Sequence, residues 1–484
     1  MLKKNLIAAV DAHVNAGRMA AAVSLCSRVL ALTPDHPEAL YLLGTVHTMT
    51  RNNEAGLKPL RRLIELEPLH RPGLINLGNC YLHTGRLSEA AECFKKVLFQ
   101  DPGNGMALNN LGVICAREKS HTEALQYYER ALILLPDDPE ILSNLIVSYN
   151  AVGKVEEALC LARKVIGMAC PGEALFPAFN ILKAACCWEE ADLVLPKLIQ
   201  KIDRAEVTPE GFLHIYLALL TLPSLDHRLH FDLYKKGGEA MASRREHPKF
   251  HYNQPAMPAD GKWRVAYLSP DFRNHVVNDF FRGLLNHHDR EHFEIYCYSN
   301  TQIEDAMTAQ YKKCADVFVD ITRMSDRQTM EKIHADGIHF LIDLAGFTEG
   351  GRLSVLSGCP APVQLMYLGF PYTSGLNTVD YVISDPYLDG PENAAYFTET
   401  PLNLPESFIS YEGLGGKNTL GMVPSIQNGY IAFGSLVNPY KLNPHVIQVW
   451  SQILKHKPES KLILNHPRYE LKTIRGNIVT AFLK

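Results

Sequence analysis

LINLGNCYLHTGRLSEAAECFKKVLFQDPGN, residues 74–104, has apolar residues at helical spacing on both sides of Gly85, and a proline, Pro102, closes the second run. Moving 34 residues along the chain gives LNNLGVICAREKSHTEALQYYERALILLPDD at 108–138, with the same landmarks in the same places. Pro34, Pro68, Pro102 and Pro136 follow each other at intervals of 34, as do Gly44, Gly78 and Gly112. Gly17, Gly85 and Gly153 fall on multiples of that period. Several independent positions keeping one register predict a repeated helix pair over residues 3 to 172, about five copies in all.

A period of 34 with an LG pair, a central turn, an EA pair and a closing proline is the tetratricopeptide signature. One such pair cannot bury its apolar face alone, so neighbours stack into a superhelix with a long concave surface suited to binding a partner. Asn76, Asn110 and Asn144 also recur at 34, each on the first helix of its repeat. An amide offers donors and acceptors together, so a row of them can grip an extended acceptor polypeptide by its backbone. The same amides can equally bond neighbouring helices.

The chain has 484 residues, enough for roughly three domains of ordinary size. Its net charge of -4 and 21% charged residues give no basic excess for nucleic acid. The run FLHIYLALLTLPSL, 212–225, is too short for a bilayer span and holds His214 and Pro223, so no membrane is expected. The opening MLKKNLIAAVDAHVNAG reads as a helix because Asp11 and His13 interrupt any leader-like core. Eleven cysteines without a CxxC spacing predict buried thiols and a cytoplasmic setting, and vicinal Cys186 and Cys187 read most simply as core residues. His287, His288 and His292 lack a paired ligand motif, and no metal is expected.

Residues 173–260 stay helical with irregular period and end in a Pro-rich linker, HYNQPAMPADGK, at 251–262. From Trp263 the pattern changes. RVAYLSP, FEIYCYS, DVFVDIT, IHFLIDLAG, PVQLMYLG and VDYVISDP read as six strands separated by helical spacing, which predicts a mainly parallel, doubly wound sheet. Ligands of such sheets bind beyond the carboxyl ends of the strands. There the sequence places SPDFRNHVVNDFF with His275, and the glycine-rich turns GFTEGGR and GFPYTSG.

RVAYLSPDFRNH, IHADGIHFLIDLAGFTEGGR, APVQLMYLGFPYTSG and FGSLVNPYKLNP, in that order behind the repeats, resemble the protein O-GlcNAc transferases and their Spindly-type O-fucosyltransferase relatives. The resemblance implies α + α/β architecture: a tetratricopeptide superhelix and a GT-B region of two Rossmann-like lobes with the sugar nucleotide between them. It implies transfer of N-acetylglucosamine from UDP-GlcNAc, or of fucose from GDP-fucose, to Ser or Thr of a polypeptide. His275 would lie beside sugar and acceptor, and His339 or Asp336 in the motif proposed to hold a base. Leu368, Gly369 and Pro371 would line the donor pocket, with Thr373 and Ser374 continuing that motif, and Asn438 and Lys441 would stand at the diphosphate.

The chemistry of Lys441 stands independently. A departing nucleoside diphosphate carries negative charge, which a lysine next to a helix N-terminus can stabilise without a metal. Asn443 as N-cap and Pro444 at the first helical position predict such an N-terminus directly after Lys441. The expected domains are 1–172 repeats, 173–260 connector, 261–428 first lobe and 429–484 a partial second lobe with only two strands. So small a lobe leaves two function classes open, an active glycosyltransferase or a peptide-binding scaffold that has lost catalysis.

Overall fold

The computed structural model describes residues 2–50, 52–169, 172–204, 219, 222, 226–243, 249–252, 258, 261–370, 372–411 and 421–484. They fall into two compact units, Met1–Ile181 and Leu182–Lys484.

The first unit is built from antiparallel helix pairs: α1 Leu2–Asn15 and α2 Met19–Leu32, α3 Pro37–Met49 and α4 Asn53–Leu66, α5 Arg71–His83 and α6 Leu87–Gln100, α7 Gly105–Arg117 and α8 His121–Leu134, α9 Pro139–Ala151 and α10 Val155–Gly167. The 34-residue period has a physical cause at each landmark. His36, His70, Asn104 and Asp138, two residues after the periodic prolines, cap the first helices by accepting backbone N–H bonds. Gly44, Gly78 and Gly112 lie where the paired helix presses closest: a Cβ would sit 2.4 Å from Leu60 Cγ, 2.7 Å from Phe94 Cζ and 2.5 Å from Tyr128 Cε1. Gly17, Gly85 and Gly153 take φ of +69°, +76° and +80° in the turns of their own pairs, and Lys119 holds the same place between α7 and α8 at +63°.

The second unit opens with the rest of α11 (Leu175–Ala184), then α12 (Trp188–Asp203) and α13 (His227–Ser243). Its sheet has seven strands in the order β3-β2-β1-β4-β5-β6-β7, every pair parallel. The strands are β1 Trp263–Ser269, β2 Phe293–Ser299, β3 Val317–Asp320, β4 Phe340–Asp343, β5 Val363–Met366, β6 Tyr381–Ser384 and β7 Thr400–Asn403. Crossover helices α14 Val276–Asn286, α15 Ala306–Cys314, α16 Asp326–Ala335 and α17 Leu353–Leu356 connect the early strands. Six of the seven strands were expected. β7 is short, contains Pro401 and lies at the edge, which is where a strand can carry a proline.

The connector helix α13 is part of this unit rather than a spacer. Tyr234 packs against Phe347, Phe370 and Tyr372 at ring distances of 5.6, 5.7 and 5.1 Å. A Cβ on Gly238 would meet the Gly375 carbonyl carbon at 2.4 Å, so helix and loop touch backbone to backbone. The compact units accordingly divide near residue 181, not at 172 and 260.

The last segment holds α18 Pro424–Asn428, β8 Ala432–Ser435, α19 Pro444–His456, β9 Lys461–Leu464 and α20 Lys472–Leu483. β8 and β9 pair in parallel as a separate two-stranded sheet with no fully buried residue. Among the described residues no helix is long and apolar enough to cross a membrane.

Candidate active site

Because the seven strands run parallel, the loops after β1, β4 and β5 gather at one edge of the sheet. After β1 the chain passes through Asp271, which is 7% exposed, to His275. His275 caps α14: its Nδ1 accepts the Val277 N–H at 3.4 Å and lies 3.6 Å from Asp271 Oδ2. An Nδ1 that accepts from an amide puts the ring proton on Nε2, leaving that nitrogen as the donor. The loop is pinned from below by Thr301 Oγ1, which donates to Pro270 O at 2.9 Å.

After β4 the carboxylate of Asp343, fully buried, accepts the N–H groups of Ala345 and Gly346 through Oδ2. Its Oδ1 has no partner. Burial pushes this carboxyl up to about 6, against the two amide bonds that pull it down. After β5 the backbone turns sharply: Leu368 takes φ of +67°, and a Cβ on Gly369 would stand 1.8 Å from Leu344 O. Only glycine fits there, because the two loops are in backbone contact. Tyr367 Oη donates to Phe408 O at 2.7 Å and brings residues 408 and 409 over the site.

The result is a cavity of about 300 Å³ lined by Asp271, His275, Val277, Phe280, Leu344, Thr348, Leu368, Gly369, Phe408 and Ile409. Its walls are mainly apolar, with one imidazole and one buried carboxylate placed side by side.

His275, Leu368 and Gly369 thus meet as the sequence suggested. Pro371 lies outside the described residues. Thr373 and Ser374 do not reach the cavity wall. Both are fully buried, held by Glu399: Thr373 Oγ1 donates to Oε2 at 2.7 Å, the Ser374 N–H to Oε1 at 2.8 Å, and the Ser374 hydroxyl to Oε1 as well. Their work is to fix the loop that carries Gly369.

Asp336 and His339 sit in the turn before β4, at the amino end of the strands and so opposite to His275. His339 Nδ1 accepts the Arg264 N–H at 3.1 Å, and its ring stands edge-on to Trp263. Asp336 accepts Tyr298 Oη at 2.6 Å and Lys332 Nζ at 2.5 Å. A parallel strand separates its two ends by its own length, so residues entering β4 cannot share a site with residues leaving it. Their hydrogen bonds hold the turn that enters β4, apart from the His275 cavity.

Asn438 and Lys441 are exposed on the loop between β8 and α19. Asn438 Oδ1 accepts the Tyr440 N–H at 3.1 Å. Asn443 caps α19 by accepting the Val446 N–H at 2.9 Å, so Lys441 precedes a helix N-terminus as expected. Lys441 makes no ion pair among the described residues.

In the first unit each of the three asparagines donates one amide hydrogen between repeats. Asn76 Nδ2 donates to Thr45 Oγ1, Asn110 Nδ2 to Asn79 Oδ1 and Asn144 Nδ2 to Asn109 Oδ1, each at 2.9 Å. The amides are half-buried and bond the preceding repeat, which the single-repeat pattern left open.

Residues 233–413 match glycosyl transferase family 41, and residues 7–71, 50–105 and 75–139 match the tetratricopeptide repeat. The segment that matches this family model contains the whole cavity. The chain is 32% identical over 227 residues to a rice protein named as a probable UDP-N-acetylglucosamine–peptide N-acetylglucosaminyltransferase SPINDLY, covering 46% of this chain and 24% of that one. It is 28% identical over 306 residues to an Arabidopsis thaliana protein named as the corresponding probable transferase SEC, covering 59% of this chain and 31% of that one. A solved mutant of the Thermobaculum terrenum O-GlcNAc transferase is 21% identical with a TM-score of 0.49, covering 99% of this chain and 71% of that one. The matches to the two plant proteins span about a quarter to a third of their length.

Proposed function

We propose that this chain is a glycosyltransferase that binds a nucleoside-diphosphate sugar at the His275 cavity and passes the sugar to a Ser or Thr hydroxyl of a polypeptide engaged by the repeats. The observation that carries this reading is the cavity itself: apolar walls, a half-exposed imidazole and a buried carboxylate at the carboxyl ends of parallel strands, inside the family 41 segment. UDP-GlcNAc is the favoured donor, since both plant relatives carry names for that transfer.

In the reaction the acceptor oxygen attacks the anomeric carbon as the bond to the diphosphate breaks, and charge grows on the leaving oxygens. With its proton on Nε2, His275 donates a hydrogen bond to a sugar, phosphate or acceptor oxygen. Lys441 with the α19 N-terminus supplies positive potential for the diphosphate. Among the described residues no two cysteines are joined in a disulfide, which supports a reducing, cytoplasmic setting.

A binding-only scaffold is the second reading, and the incompletely buried β8–β9 sheet favours it. Calorimetric titration with UDP and with GDP separates the two. Micromolar binding of UDP that is lost in Lys441→Ala and in His275→Ala supports the transferase. No heat with either nucleotide, with the repeats still folded, supports the scaffold.

A further inference from the structure

The turn between α11 and α12 repeats the local geometry of the turns inside the earlier pairs. Cys187 N donates to Leu182 O at 2.8 Å, as Arg86 N does to Tyr81 O and Lys154 N to Tyr149 O at 2.8 and 2.9 Å. The left-handed position of this turn is Gly85 and Gly153 in those pairs, but here it is Cys186, at φ of +58°. A side chain in that conformation is strained relative to glycine. The next residue is also a cysteine, so two thiols are presented by one strained turn.

Both sulfurs face the C-terminal segment. Cys186 Sγ donates to Pro439 O at 3.8 Å, and Cys187 Sγ accepts from Asn477 Nδ2 at 3.3 Å. The flanking residues hold the same two places: Trp188 Nε1 donates to Leu442 O at 3.0 Å, and Asn477 Nδ2 to Ala185 O at 2.8 Å. The turn therefore clasps the loop bearing Lys441 on one side and α20 on the other. The clasped segment has a two-stranded sheet and little core of its own.

We propose that Cys186 and Cys187 form a redox modification site, a vicinal dithiol that a hydroperoxide converts to a disulfide, loosening the hold of this turn on residues 439–442 and on α20. Cys187 is the more exposed sulfur and reacts first. Its thiolate attacks one peroxide oxygen, the O–O bond breaks, and a sulfenic acid and an alcohol or water result. The Cys186 sulfur then attacks the sulfenic sulfur. The S–S bond forms, and the departing hydroxide takes the Cys186 proton as water, so two thiols lose two electrons and two protons to one peroxide. Burial pushes the Cys186 thiol up to about 12, which keeps it reduced and protonated until its neighbour is oxidised, and buried Lys183 favours its thiolate for the second step. The disulfide has no S–H for Pro439 O and a poorer acceptor for Asn477.

The test uses the full 484-residue chain with hydrogen peroxide as the probe, followed by alkylation and peptide mass spectrometry. The tryptic peptide 184–197 is expected two hydrogens lighter and unalkylated, returning to the doubly alkylated form after dithiothreitol. Amide exchange in 439–444 and 472–483 is expected to rise severalfold on oxidation and to be unchanged in Cys187→Ser. Cys186→Gly suits the left-handed turn, should fold at least as well, and should not respond to peroxide. Oxidation of exposed Cys160 with 184–197 still doubly alkylated overturns the proposal. A disulfide that forms with unaltered exchange in both segments overturns it equally.

Discussion

Replacing Asp343 by asparagine removes a buried acid from the end of β4 while keeping its shape. Its folded carboxyl titrates near 6 and its ordinary value is 3.8, so the folded state binds that proton more tightly than the unfolded chain. Such a group adds no stability at neutral pH. Folding is helped below 3.8, where both states are protonated, and is opposed increasingly as pH rises to about 6, by about 3 kcal/mol in full. Of that, about 1.4 kcal/mol falls between pH 5 and pH 7.5. Trp188, Trp263 and Trp450 all lie in the second unit, so urea unfolding followed by tryptophan fluorescence reads that unit alone. Wild type is expected to lose about 1.4 kcal/mol relative to Asp343→Asn between those two pH values. Parallel stability curves, differing by a constant offset across the window, would refute the reasoning.

Three further outcomes are expected. Gly369→Ala drives a methyl against Leu344 O, and a cost of about 3 kcal/mol or more should appear as a lower urea midpoint in the tryptophan signal. Gly476→Ala, with nothing within 4 Å, should instead gain about 0.5–1 kcal/mol and serves as its control. Glu399→Ala leaves two buried hydroxyls and an amide without their acceptor and should destabilise the same unit by about 3 kcal/mol or more; near-neutral behaviour would show that the loop does not depend on it. Asn110→Ala leaves Asn79 Oδ1 unpaired between repeats and should cost about 1 kcal/mol by circular dichroism melting.

The repeats were legible because every landmark answers a local need that sequence shows directly: a capping side chain at 36, 70, 104 and 138, and a glycine where a helix presses close. The sheet was legible strand by strand as far as β6. The edge strand β7 was missed because four residues including a proline carry no alternation to read. The loops carrying His275 and Gly369 were legible because strand-to-helix loops of a parallel sheet share one end. Asp336 and His339 stand at the opposite end of β4, a separation that motif proximity alone does not reveal. Asp343 and Glu399 were not singled out, since a carboxylate's burial and its partners 25 residues away leave no periodic trace. Nor does a 34-residue spacing reveal that an asparagine's donor already serves its neighbour.

Glu399 also sets an order of assembly. The loop at 373–375 leaves the ribosome before the carboxylate that holds it, and the Tyr367 hydroxyl waits 41 residues for Phe408. Until then the strands can pair, but the cavity has neither its braced floor nor its cover. A nascent chain arrested before residue 399 should therefore carry a sheet that binds nothing, and the ability to hold a ligand should be acquired abruptly, over the ten or so residues ending at Ile409.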